Sequence, residues 1–150
     1  MSVDGCPCFN LGLAHRKVLR AYEDALAPLG LTVAQAHAMS VLYAFDGALA
    51  KDLARELSID AGTLTPLLDR LEKQGLMVRC PHPDDRRATR LCLTEKAHRL
   101  RPSIEAGLCE ASQRLMQRFT PAEYETLMAL VGRLLEDAPE GARAGAAAGA

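Results

Sequence analysis

Apolar positions recur along most of this chain at steps of three and four, the spacing of a helix with one buried face. The first stripe is Leu11, Ala14, Val18, Tyr22, Ala25 and Leu29. Pro28 and Gly30 close it. Thr32 and Gln35 have the spacing of a capping box, in which a hydroxyl and an amide satisfy each other's free backbone N–H groups. A second helix is predicted from there to about Phe45, with Asp46-Gly47 as the turn after it. A short helix fits 51–57. Ser58-Ile59-Asp60 breaks the pattern, and Asp60 is placed to cap a helix over 61–74. Its buried face is Leu64, Leu67, Leu68 and Leu71, and Gly75 ends it. Two helices with so short a joint are a helix-turn-helix.

The period then drops to two. Leu76-Met77-Val78-Arg79 and Thr89-Arg90-Leu91-Cys92-Leu93 read as strands, and Pro81-His82-Pro83-Asp84-Asp85 between them is turn chemistry. Cys92 is expected to alternate inward, and Cys80 to stand inert at the start of the hairpin tip. Thr94 caps a long helix to about Arg118, which Pro102 should kink or delay. Thr120 and Glu123 form another capping box with Pro121 at the first helical position. Leu127, Leu130 and Leu134 mark the last apolar face. The fold class is mostly α with a small β-hairpin wing (α+β), a winged helix-turn-helix. Residues 1–31 and 94–137 form a helical dimerisation region, 32–93 the winged lobe, and the Ala/Gly-rich 138–150 a disordered tail. The outer helices carry apolar stripes longer than the centre can cover. A homodimer that buries them is the economical solution, the alternative being a monomeric bundle closed on itself.

With 150 residues the chain is one domain of ordinary size. The net charge of −1 gives no global basic field, so any nucleic-acid site must be local. With Phe 3, Tyr 3 and Trp 0, base stacking on aromatic platforms is excluded as the main recognition mode. No apolar run is long enough for a membrane span, and the N-terminus does not read as a signal peptide. A cytoplasmic protein with five thiols is expected. No nucleophile elbow, phosphate loop, dinucleotide fingerprint or zinc-protease motif occurs, so neither an enzyme nor a cofactor is expected.

Charge is local where it matters. Residues 76–101 hold seven basic groups (Arg79, Arg86, Arg87, Arg90, Lys96, Arg99, Arg101) against three acidic ones. A hairpin tip with Arg86 and Arg87 is narrow enough for a minor groove, where arginine is favoured. The helix over 61–74 begins with Ala61, Gly62, Thr63, Thr65 and Pro66, small enough to approach base edges. Arg70 is one turn further, within reach of a phosphate. Double-stranded operator DNA is the partner these residues suit. A winged helix serving as a protein–protein adaptor has no use for the two wing arginines.

The run Asp60-Ala61-Gly62-Thr63-Leu64-Thr65-Pro66-Leu67-Leu68-Asp69-Arg70-Leu71, with Asp84-Asp85-Arg86-Arg87-Ala88 and Leu93-Thr94-Glu95-Lys96, resembles the MarR family of winged helix-turn-helix repressors over about 8–137. The resemblance implies a homodimer joined by its terminal helices, a recognition helix in the major groove, a wing arginine in the minor groove and Asp85 bracing Arg87. Ala97 stands where the family usually has glycine. The Gly-Thr-Leu-Thr-Pro-Leu-Leu run looks most like the organic-hydroperoxide sensors of the OhrR type, which carry a reactive cysteine followed by Phe in the first helix. Cys8-Phe9 stands there, and Tyr22 matches a tyrosine that bonds the sensing thiol. Gly12, Val33 and Ala36 replace three further tyrosines.

Peroxide sensing needs an accessible thiolate, and a helix N-terminus favours an anion. Cys8 is the redox-sensing residue on this reading. Its sulfenic acid would be trapped by Cys6, or by Cys109 across the dimer. Cys109 is equally a small apolar packing residue. Cys6-Pro7-Cys8 with His15 also admits a soft metal, without a complete ligand set. A small aromatic molecule or a metal in the cleft between dimer core and winged lobe is the remaining signal. His37 is expected to be a satisfied core or pocket-lining histidine rather than a ligand.

Overall fold

The computed structural model describes residues 5–83 and 88–136. Helix α1 (Pro7–Leu26) runs into one 3-10 turn at Ala27–Leu29, and Gly30 takes the left-handed φ of 65° that reverses the chain. Then come α2 (Val33–Ala44), β1 (Ala48–Leu49), α3 (Ala50–Leu57), α4 (Ala61–Lys73), β2 (Met77–Pro81), β3 (Thr89–Leu93), α5 (Glu95–Met116) and α6 (Pro121–Glu136). The expected caps are present: Thr32 with Gln35 at α2, Asp60 at α4, Thr94 at α5, and Thr120 with Glu123 before α6. The mostly helical, winged architecture is as expected.

Two expectations need correction. The wing is three-stranded, in the order β1-β3-β2, all antiparallel. The third strand is only Ala48 and Leu49, paired with Leu91 and Arg90. Two residues are too few for a period-two signal, so the turn after α2 concealed it. Pro102 does not delay α5, which is one helix from Glu95 onward with the proline inside it. Pro102 is exposed. Its ring faces water, and the backbone carbonyl it leaves without a donor can be hydrated.

One core joins the elements from α1 to α5. Leu26, Met39, Leu42, Leu53, Leu71, Met77, Leu91 and Ile104 are the largest side chains wholly withdrawn from solvent. They come from α1, α2, α3, α4, both long strands and α5. Helix α1 runs antiparallel to α5: Tyr22 meets Ser112, and Ala25 meets Gly107. At Gly107 a Cβ would lie 3.3 Å from the Ala25 carbonyl, so the helices approach backbone to backbone.

The C-terminus of α4 is where the rest of the chain takes hold of it. Gly75, with φ 69°, gives both bonds of a Schellman turn: Leu76 N–H to Leu71 O and Gly75 N–H to Glu72 O, each 2.9 Å. The Gly75 carbonyl then accepts Thr94 Oγ1 at 2.7 Å, and the Gln74 carbonyl accepts Lys96 Nζ at 2.8 Å, both from the start of α5. Gln74 Nε2 donates to Gly30 O at 3.1 Å, while Gln74 Oε1 accepts Gln35 Nε2 at 3.1 Å. Gln35 is the one buried polar residue among those described, 3% exposed, and its Oε1 closes the α2 capping box. Every polar atom of its amide is thereby engaged. Gln74→Ala strands the Gln35 amide donor, and urea denaturation should show a loss of about 1–3 kcal/mol, the cost of one unsatisfied buried donor. A loss near zero would mean that the Gln35–Gln74 contact contributes nothing.

Candidate nucleic-acid interface

Helix α4 starts at a strong cap. Asp60 Oδ1 accepts Thr63 N–H and Oδ2 accepts Thr63 Oγ1, both at 2.9 Å. These bonds, the backbone one first, hold the Asp60 carboxyl below its ordinary value of 3.8. The carboxylate also requires Gly62, where a Cβ would sit 2.9 Å from Asp60 Oδ1. Gly62 thus serves the cap as well as leaving the helix start unencumbered.

Beyond the cap, α4 divides cleanly. Leu64, Leu67, Leu68 and Leu71 are buried, as their spacing predicts. Ala61, Gly62, Thr65, Pro66, Asp69, Arg70 and Lys73 are exposed and make one outward row. Thr63 is only half-exposed, and its hydroxyl proton goes to Asp60. Thr65 Oγ1 donates to Ala61 O at 2.9 Å. Both hydroxyls are therefore left as acceptors, and Thr65 turns its methyl-bearing side chain outward. Pro66 has no N–H, so the Gly62 carbonyl loses its helical donor and stands on the exposed face as a further acceptor. Arg70 makes no ion pair among the described residues.

The basic excess behind α4 is mostly committed. Arg79 on β2 pairs with Asp69 at 2.8 Å and with Glu72, fastening the wing strand to α4. Those partners, the Asp69 hydrogen bond first, raise the pKa of Arg79. Lys96 holds the Gln74 carbonyl, Arg101 pairs with Glu105 at 2.7 Å, and Arg99 reaches Glu95 at 3.8 Å. Arg79, Lys96, Arg99 and Arg101 thus have partners inside the chain. Asp85, Arg86 and Arg87, expected to work at the wing tip, lie outside the described residues, as does the tail over 138–150. Arg90 lies against Gly47, with its Nε buried and unpaired among the described residues.

The redox candidates are not brought together within one chain. Cys8 is exposed in the first turn of α1, Cys6 is its N-cap residue, and Cys109 is exposed on α5 beside Gln113 Nε2 at 3.4 Å. Tyr22 is fourteen residues from Cys8 on the same unbroken helix, about 21 Å along the axis. Its hydroxyl meets Ser112 Oγ at 2.7 Å. Ser112 gives its own proton to Leu108 O, so Tyr22 is the donor to Ser112. Because α1 and α5 are antiparallel, Cys109 lies level with the Tyr22 end, roughly 20 Å from Cys8. Around Cys6 and Cys8, as elsewhere among the described residues, no group of three or more His, Cys, Asp or Glu side chains is placed to hold a metal. His37 is exposed on α2 rather than in the core, and partial desolvation of its ring lowers its pKa.

Cys92 corrects its expectation. Leu91 and Leu93 take the inward positions of β3, and Cys92 faces the other way, half-buried and opposite Val78. The strand is one residue out of the expected phase. Ala97 is wholly buried, and its carbonyl accepts Tyr43 Oη at 2.6 Å, a tie between α2 and α5 that the sequence did not signal.

The terminal helices leave apolar faces uncovered. Leu11, Leu13 and Val18 of α1 are exposed, as are Leu127, Met128, Leu130 and Leu134 of α6, with Leu134 at 62%. Two hollows, of about 320 and 430 Å³, lie at the α5–α6 corner and along α6. No single helix among the described residues is long and apolar enough to cross a membrane.

A capped helix with a small-residue outward row, anchored to a three-stranded wing, defines a winged helix-turn-helix protein. Residues 31–89 match the MarR family. Over 136 residues the chain is 30% identical to the organic hydroperoxide resistance transcriptional regulator of Bacillus subtilis (strain 168), covering 87% of this chain and 92% of that protein. It superposes on a MarR mutant from E. coli complexed with operator DNA, with a TM-score of 0.78 and 28% identity over 83% of this chain and 90% of that one. It also superposes on CouR from Rhodococcus jostii RHA1 bound to p-coumaroyl-CoA, with a TM-score of 0.76 and 26% identity over 93% and 98% of the two chains. The chain belongs to the MarR family of transcriptional regulators.

The Asp60 cap has a pH signature. A carboxyl whose folded pKa lies below its unfolded value stabilises fully above the unfolded pKa, and loses that contribution as pH falls through the folded one. The melting-temperature gap between wild type and Asp60→Ala should be constant above about pH 5 and close as pH drops below 3.8. A gap that does not change with pH would mean that the Asp60 charge adds nothing to the cap.

Proposed function

We propose that this chain is a homodimeric repressor that binds double-stranded operator DNA and releases it when an organic hydroperoxide oxidises Cys8. The observation that carries the DNA reading is the outward row of α4: small residues, the acceptor hydroxyl of Thr65 with that of Thr63 beside it, and an Arg70 without an ion pair among the described residues, on a helix whose opposite face is entirely buried. Such a row fits a major groove, with Arg70 at a phosphate. Arg86 and Arg87 of the wing, with Asp85 as brace for Arg87, would enter the neighbouring minor groove. The exposed apolar faces of α1 and α6 support a dimer built from 1–31 and 94–137. That leaves 32–93 as the DNA-binding lobe. On this reading the protein binds and releases DNA and catalyses no reaction.

The redox reading rests on the exposure of Cys8 at the N-terminal turn of α1 and on the likeness to the hydroperoxide regulator. The Cys8 sulfur attacks the distal oxygen of the hydroperoxide and the O–O bond breaks. The alcohol leaves with the proton, and Cys8 becomes a sulfenic acid. Cys6, or Cys109 of the partner subunit, then displaces the hydroxyl as water to form a disulfide. Tyr22 of the same chain is too far to bond this thiol. Its contact with Ser112 instead fixes α1 to α5, so a change at the start of α1 moves α5, and α5 holds α4 through Thr94 and Lys96. Release follows if the oxidised dimer favours a spacing of the two α4 helices that does not match the operator.

Fluorescence anisotropy on the native upstream DNA, with and without cumene hydroperoxide, tests this. With the wing thiols Cys80 and Cys92 replaced by serine in both proteins, the chain with Cys8 should release the DNA, and its Cys8→Ser variant should hold it. Equal behaviour of the two proteins overturns the Cys8 mechanism. If both hold the DNA through the oxidant, the effector is a small molecule, as the bound p-coumaroyl-CoA of CouR illustrates for that protein.

A further inference from the structure

The wing carries a pair of thiols that the proposed reading does not use. Alternation along β2 and β3 sends Met77, Leu91 and Leu93 into the core and Arg79 to α4. The opposite face of the ladder receives Val78, Cys80, Arg90 and Cys92. Val78 pairs with Cys92 and Cys80 with Arg90, so the two cysteines are diagonal neighbours on one face. The two thiols are close enough to interact. Burial, then the neighbouring Cys80 thiol, pushes the Cys92 thiol up to about 11, so Cys92 keeps its proton. The Arg90 guanidinium, its Nε buried and without a partner among the described residues, lies close enough for its charge to oppose that shift. Both thiols are half-exposed. A small oxidant can reach them.

We infer that Cys80 and Cys92 form a second oxidisable site, closing to an intrachain disulfide within one wing when an organic hydroperoxide is the oxidant. The Cys80 sulfur attacks the distal peroxide oxygen, the O–O bond breaks, and the alcohol departs with the thiol proton. The Cys92 sulfur gives up its own proton and displaces the hydroxyl of the Cys80 sulfenic acid. One S–S bond forms and one water leaves. Two thiols are oxidised, and one hydroperoxide is reduced to its alcohol.

The bond would reshape the wing. Diagonal positions on an antiparallel pair stand about 7–8 Å apart, whereas disulfide-linked Cα atoms lie about 4.4–6.8 Å apart. Closing it slides β2 along β3 and adds twist. The displaced segment is the strand that holds Arg79 against α4. A bond made against such resistance is readily reduced again, as a regulatory disulfide must be. Its effect on DNA rests on the operator-binding reading above. Its formation does not.

The test uses the full chain, as wild type and as Cys6→Ser/Cys8→Ser/Cys109→Ser. Each is treated with cumene hydroperoxide, blocked with N-ethylmaleimide, digested with trypsin and analysed by mass spectrometry. The expected result is the Cys80 and Cys92 peptides joined within one chain, both thiols lost together and regained with dithiothreitol. Cys80→Ser and Cys92→Ser should each abolish the link. Two alkylated thiols, sulfinic acid on one with the other alkylated, or a link between chains would overturn the inference. On the same samples, operator affinity should fall roughly tenfold on oxidation and recover on reduction, in line with loss of a groove contact. A linked wing with unchanged affinity would refute the switching role. Failure of the reduced protein to bind the DNA would instead refute the operator reading and leave the thiol result standing.

Discussion

The bonds around Gln74 and Gly75 are the constraint on which the other elements depend. A recognition helix is useful only if its outward face is held at a fixed angle to the rest of the molecule. Here the C-terminus of α4 is gripped from three sides: by Thr94 and Lys96 at the start of α5, by Gln35 on α2, and by the Gly30 carbonyl after α1. The Schellman turn at Gly75 makes this possible, because it frees the Gln74 and Gly75 carbonyls to accept from α5. Helix α4 is therefore coupled to α1 and α5, the same two helices that lie backbone to backbone at Ala25 and Gly107. A displacement of the outer helices has a direct mechanical route to the outward row of α4.

The charges follow the same logic. A count of basic residues over 76–101 suggests a broad phosphate-binding surface. Arg79, Lys96, Arg99 and Arg101 instead hold internal acids or carbonyls, and Arg79 fixes the wing strand to α4 through Asp69 and Glu72. Exposed pairs of this kind contribute little stability individually. They fix the angle between wing and helix, and geometry is what a bipartite groove reader needs. Fewer residues are then left for the proposed phosphate contacts, with Arg70 foremost on the described surface.

Much of this was legible in the sequence because it is local. Caps at Thr32, Asp60, Thr94 and Thr120, the Gly75 stop and the leucine face of α4 each depend on residues within four positions of one another. The long-range parts were not legible. The two-residue strand at Ala48 has no period to detect. Cys92 needed the phase of β3, which Leu91 and Leu93 set through core packing. Gln35 read as half a capping box, and its contact with Gln74, thirty-nine residues away, has no pattern in the chain. Arg79 showed as charge, while its partners belong to another element. The Tyr22–Ser112 bond, ninety residues apart in sequence, gave a sequence-matched sensing tyrosine a different neighbour within its own chain.

The most direct measurement is hydroxyl-radical footprinting of the reduced protein on its native upstream DNA. The account predicts two protected half-sites on one face of the duplex, about 34–36 Å apart centre to centre, as two copies of α4 in successive major grooves require. A single protected patch, or no protection above that of unrelated DNA at the same salt, would contradict the dimeric operator-binding mechanism.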